Sequence, residues 1–210
     1  MPMKTEREYR ALAAVMEVRA DAKDDEMIVE GYATTFNKPY ELYSYNNYRY
    51  MEQVDPNAFD ECDMSDVIMQ YDHAGRVYAR TRNGTLKLEA DDQGLKIRAD
   101  LGKTDTAKQL YQEIKAGMTD RMSFGFTVGL DEKTYVEDAE AGTTTVMRTI
   151  KRFKKLYDVS AVSIPANDQT SISARMLSDG WIAEAEAERL RAARMKRLAL
   201  KIKIMEGEFA

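Results

Sequence analysis

The sequence predicts an α+β domain that is mainly antiparallel β, and three observations carry that reading. Short stretches of alternating apolar and polar residues recur through most of the chain, separated by polar or glycine-containing turns. One stretch, Thr104 to Ala116, changes to helical spacing. From about Leu177 the composition shifts to Ala, Glu, Arg and Leu, which favours helix. The chain therefore divides into a domain over residues 1–176 and a helical C-terminal tail over residues 177–210.

Residues 11–19 and 26–36 read as two strands of a first antiparallel pair, joined through the polar segment DAKDDE. The tyrosine-rich segment 40–50 (YELYSYNNYRY) has no clean period and reads as a surface loop that runs into a strand at Tyr50 to Val54. DPNAF, residues 55–59, has the form of a short helix start, with Asp55 as cap and Pro56 in the first turn. VIMQY, residues 67–71, is a strand that delivers the chain to Asp72, His73, Ala74 and Gly75. Thr85 to Ala90 and Leu95 to Leu101 form a hairpin around DDQG. The helix that follows places Ala107, Leu110, Tyr111 and Ile114 on one face and ends at Gly117. A strand runs from Arg121 to Leu130, residues 131–145 read as a mobile hairpin tip or loop, and residues 146–164 are two strands or one bent strand.

Composition narrows the function. Hydrophobic residues make up 44% and charged residues 32% of the 210 positions, which is globular composition. No apolar run approaches the roughly 20 residues that span a bilayer, and the charged N-terminus MPMKTEREYR lacks the form of a secretory signal, so cytoplasmic synthesis is expected. A formal net charge of −5 argues against specific nucleic-acid binding, which needs a concentrated basic face. With one histidine and one cysteine, a zinc site would have to be mostly carboxylate; no metal and no cofactor are expected. Cys62, in the acidic setting FDECDMSD, reads as a small apolar residue rather than a reactive thiol.

Serine-based hydrolysis needs a base within hydrogen-bond reach of the hydroxyl and a third group that orients the base. His73 is the only histidine, and histidine is the side chain suited to that work near neutral pH. In DRMSFGF, period-two alternation puts Met122, Phe124, Phe126 and Val128 on one face and Ser123, Gly125 and Thr127 on the other. The hydroxyl of Ser123 thus lies on a face of small residues, with room for an imidazole or a substrate backbone. From spacing alone, a structural histidine and an ordinary strand serine remain the simpler reading.

A resemblance changes the balance. VIMQYDHAGRVYAR around His73, GMTDRMSFGF around Ser123 and YDVSAVSIPANDQTSIS at 157–173 together resemble the bacteriophage prohead (capsid maturation) serine proteases. GYATTF, VDPNAFD and LKLEADDQGLKIRADL extend the likeness, so that it covers about residues 26–175 in family order. These proteases are in turn similar to the herpesvirus assemblins. The resemblance therefore implies an assemblin-like β-barrel flanked by helices, and a serine endopeptidase that cleaves scaffold and major capsid protein segments inside the assembling procapsid in the host cytoplasm.

It also implies roles. Ser123 matches the family's nucleophile and His73 its base; Asp158 stands where phage members carry an acidic residue, more often glutamate, with Asp72 and Glu89 as alternatives. Oxyanion donors would come from SIPAN at 163–167, where Pro165 has no N–H, leaving the amides of Ala166 or Asn167. The herpesvirus relatives dimerise, which makes a homodimer an expectation here, and the tail past Leu177 would bind capsid or scaffold and be trimmed by the enzyme itself. Two rival readings remain: a non-catalytic capsid assembly or scaffolding protein on the same fold, and a metal-dependent hydrolase using His73 with acidic residues.

Overall fold

The structure is a computed structural model, and it describes residues 7–18, 26–45, 47–138, 140–163 and a few positions between 187 and 202. In chain order the elements are β1 (Glu8–Val15), β2 (Glu17–Val18), β3 (Ile28–Thr35), β4 (Tyr40–Tyr45), β5 (Tyr48–Val54), β6 (Ile68–Tyr71), β7 (Ala74–Arg80), β8 (Leu86–Ala90), β9 (Gly94–Asp100), α1 (Asp105–Lys115), β10 (Arg121–Asp138) and β11 (Thr143–Val162). They form a 7-stranded sheet ordered β1-β10-β11-β5-β4, with β6 and β7 branching from β11, and a 4-stranded sheet ordered β2-β3-β9-β8. Most pairs are antiparallel; β11 is the exception, pairing in parallel with β5 along its first half and with β6 near its end.

The expected closed barrel is not what these strands build. Because β11 takes different partners at its two ends, the large sheet branches instead of closing, and β1 and β4 remain edges without a shared ladder. Bulges between Gly125 and Asp131 bend the β10–β11 hairpin, so the large sheet is curled though open. Among the described residues α1 is the single α-helix of this domain, and no helix is long and apolar enough to cross a membrane. The expected C-terminal helix falls largely outside the described residues; those described there, among them Leu190, Met195, Leu198 and Ile202, have helical backbone and exposed side chains.

One core cluster joins both sheets and the helix. Val29 and Ala33 of β3, Leu95, Ile97 and Ala99 of β9, and Ala107, Leu110 and Ile114 of α1 pack with Phe124, Phe126, Phe153 and Leu156 of the long hairpin. The phenylalanines interlock, Phe153 lying 4.5 Å from Phe59 and 4.8 Å from Phe126 between ring centroids. Helix α1 presents to the core the four residues its spacing predicts, and the side chain of Thr104 caps it by accepting from the Ala107 N–H.

Four local expectations change. The expected antiparallel pairing of residues 11–19 with 26–36 is confined, among the described residues, to Glu17 and Val18 against β3; β1 pairs instead with β10, so one run of chain serves both sheets. The tyrosine-rich loop is the β4–β5 hairpin, whose rings make a satellite cluster in which Tyr43 stacks on Tyr50 at 4.4 Å. DPNAF and the three residues after it make successive four-residue turns, from Ala58 N–H to Asp55 C=O, Asp60 to Asn57 and Cys62 to Phe59, while Phe59 is drawn into the core. Residues 131–138 are strand, paired with 143–150, so the loop shrinks to the few residues about Gly142.

A buried ionic cluster ties the curled sheet together. Glu52 of β5 is fully buried; it accepts from Arg10 Nε at 2.6 Å, from Arg148 Nη1 at 2.9 Å and from the Tyr40 hydroxyl at 2.5 Å. Glu8 bridges the same two arginines, and Asp131 accepts from Arg148 Nε at 2.5 Å. Strands β1 and β5 are separated in the sheet by two others, and side chains long enough to meet across the curl substitute for the missing ladder. Burial alone would raise the Glu52 pKa, but the facing guanidiniums outweigh it and hold the carboxyl at about 2, against an ordinary 4.5.

Removing the Glu52 carboxylate leaves two arginines short of a buried partner. Glu52→Ala is expected to cost about 3–5 kcal/mol in urea unfolding; a loss under about 1 kcal/mol would show the cluster to be neutral. Because the folded pKa of Glu52 is depressed, its contribution is complete above pH 4.5 and fades as pH falls toward about 2. Glu52→Gln should therefore lose less stability than wild type on acidification through that window, as read by urea titrations at several pH values.

Candidate active site

The end of β11 organises the site. Ser123 of β10 lies directly across from Ser160, and Gly125 across from Asp158, so Ser123, Asp158 and Ser160 share one face of the sheet. On the other side of β11 runs β6 in parallel, with Tyr71 opposite Ala161. Tyr71 pairs with Ala74 in the β6–β7 hairpin, which makes Asp72 and His73 its two-residue turn. Both have positive φ, 47° and 56°, the arrangement of a type I′ turn. The Asp72 N–H donates to Ala161 C=O at 2.9 Å and its carboxylate accepts from the Ser163 N–H at 3.2 Å, which pins the turn to β11.

His73 is thereby carried over the strand face. Its Nε2 lies 2.5 Å from Ser123 Oγ, and its Nδ1 lies 2.5 Å from Asp158 Oδ1. The Tyr9 ring of β1 meets the imidazole edge-on, with centroids 4.4 Å apart at 61°. Ser123 is 1% exposed and Asp158 fully buried, whereas the imidazole is 19% exposed. Asp158 also accepts from Ser160 Oγ at 2.7 Å and from Arg7 Nη2. Burial pushes its pKa up, but the hydrogen bonds from His73 and Ser160 and the nearby Arg7 charge more than offset this, so the carboxyl is held below the usual range and stays ionised at neutral pH.

Chemically, this arrangement lets a hydroxyl pass its proton to an imidazole whose far N–H is fixed by a carboxylate, the requirement for attack on an acyl carbon. Gly125 makes room for it: a Cβ there would overlap Asp158 Oδ2.

The alternatives to Asp158 lie elsewhere. The Asp72 carboxylate is turned to Ser163, and Glu89 is an exposed residue of β8 in the other sheet. The Cys62 thiol is pushed up to about 11 by burial, with the Asp63 charge adding to it, so it is not a ready nucleophile. Among the described residues no group of three or more His, Cys, Asp or Glu side chains is placed to hold a metal ion. Ala166 and Asn167 lie outside the described residues.

Arg7, Tyr9 and Ser160 are the contacts that sequence reasoning missed. Only Ser160 carried a signal, its spacing of two from Asp158 in a strand.

Compared with protein-family models, residues 14–180 match the caudovirus prohead serine proteases. Searches of the curated proteins and of the solved structures return no match. The matched span contains Ser123, His73 and Asp158 and begins after Arg7 and Tyr9. Since it takes in most of the sequence, the chain belongs to the caudovirus prohead serine protease family, the proteases of bacteriophage capsid maturation.

Proposed function

We propose that the protein is a serine endopeptidase that enters the procapsid in the host cell and cleaves segments of the scaffold and of the major capsid protein. Ser123 attacks the scissile carbonyl, His73 takes the proton and returns it to the leaving amine, and Asp158 fixes the imidazole tautomer and stabilises the imidazolium. The observation that carries this reading is the unbroken relay from Asp158 Oδ1 through both ring nitrogens to Ser123 Oγ, each step 2.5 Å. Three residues separated by 50 and 85 positions in sequence supply it, and family membership gives the same chemistry independently. The C-terminal tail, residues 177–210, most of which lies beyond the family match, is a substrate of the enzyme itself.

Co-expression with the matching major capsid protein tests the whole reading on a gel. Wild type should yield shortened capsid protein, and Ser123→Ala and His73→Ala the full-length form; cleavage persisting in either variant would remove that residue from the mechanism. A fluorophosphonate should label wild type at Ser123 and leave Ser123→Ala unlabelled. Asp158→Asn, which forces the wrong imidazole tautomer, should slow labelling by about 10³–10⁴-fold. Intact mass after prolonged incubation checks the tail: a loss of C-terminal residues is expected in wild type alone, and equal full-length masses would refute self-trimming.

A further inference from the structure

We infer that Arg7, on the segment leading into β1, is a positioning residue for Asp158, so that the start of the chain completes the site; this rests on the triad reading above. The division of labour around the carboxylate is specific. Oδ1 takes both His73 Nδ1, at 2.5 Å, and Ser160 Oγ, at 2.7 Å, and Oδ2 takes Arg7 Nη2. A carboxylate held at one oxygen can rotate about its Cβ–Cγ bond, whereas one held at both keeps Oδ1 aimed at the imidazole. Placing the guanidinium and a protonated imidazole on different oxygens also keeps the two cations apart.

The surroundings hold Arg7 for this contact. Its guanidinium carbon lies 5.1 Å from the Tyr9 ring centroid and 4.6 Å from that of Tyr157, so one aromatic ring from β1 and one from β11 clasp the cation. The opening through which it reaches the carboxylate exists because residue 125 has no side chain: a Cβ there would come within 2.9 Å of Tyr9 Cε1 and 3.0 Å of Arg7 Nε, besides overlapping Asp158 Oδ2. Arg7 and Tyr9 alternate to the same face of one extended segment, so two residues in register touch the acid and the base respectively. With its side chain 35% exposed, Arg7 is not a core residue whose loss would collapse the fold.

The second-order rate of Ser123 labelling by a fluorophosphonate tests this in the full chain, without a peptide substrate. Arg7→Met should label about tenfold more slowly with a near-unchanged melting temperature, and Arg7→Lys, which keeps the charge but loses the planar face between the two rings, should fall between it and wild type. In an Asp158→Asn background the Arg7→Met change should have an effect under about twofold, because the residue acts through the carboxylate. A single-variant rate at or above wild type, or a loss that multiplies undiminished onto that of Asp158→Asn, would overturn the inference. If Arg7→Met does not fold, the same cycle with Arg7→Lys decides it: a wild-type rate overturns the assignment, and a loss seen only with Asp158 present supports it. Labelling that persists in Ser123→Ala would instead defeat the triad reading itself.

Discussion

The parallel ladder between β6 and the last third of β11 is the contact from which the site follows. It sets Tyr71 beside Ala161, and the turn after Tyr71 then has one place to go: over the strand face that bears Asp158 and, one strand further, Ser123. The turn is tight and left-handed at both positions, which costs roughly 1–2 kcal/mol per residue and is tolerated best by Asn, Asp and His among residues with a Cβ. Asp72 offsets part of that cost through its bonds to Ala161 and Ser163. His73 is therefore presented by a hairpin end bonded to β11, which suits the proposed role of a base that must stay within a hydrogen bond of Ser123.

Charge burial is the second constraint. Asp158 and Glu52 are both fully buried carboxylates of the large sheet, and each is answered by an arginine from the beginning of the chain. Arg7 and Arg10 are three positions apart in an extended segment and so leave it on opposite faces. The first strand is fastened to the sheet on both sides, by Asp158 on one and by Glu52 on the other. A buried Glu52 without its arginines would cost several kcal/mol, whereas Asp158 keeps His73 and Ser160 without Arg7, so it is at Glu52 that the sheet most needs this edge strand.

What the sequence made legible was local. The stripe of Ala107, Leu110, Tyr111 and Ile114, with Gly117 past its end, defines α1 without reference to anything distant. The β8–β9 hairpin is likewise written in alternation and turn residues. The tyrosine-rich hairpin was hidden because a bulge between Glu41 and Tyr43 breaks its alternation and tyrosines serve both faces. Residues 131–138 looked like a loop because this end of the hairpin is largely solvated and, apart from Tyr135 and Val136, carries polar residues. For the site, the residue types at 73, 123 and 158 were legible through a family likeness, but their convergence depends on a parallel pairing that no local pattern encodes. Arg7 left no trace, since its partner lies 151 positions away.

That separation has a bearing on how the protein is made. Residues 8–15 pair with β10 and Arg7 bonds to a carboxylate near the end of β11, so these early residues wait for partners that are made more than a hundred positions later. Contacts of such long range form late and slowly. A nascent chain consequently carries no assembled relay: its serine, imidazole and carboxylate come together only after synthesis has passed Asp158, the last of the three.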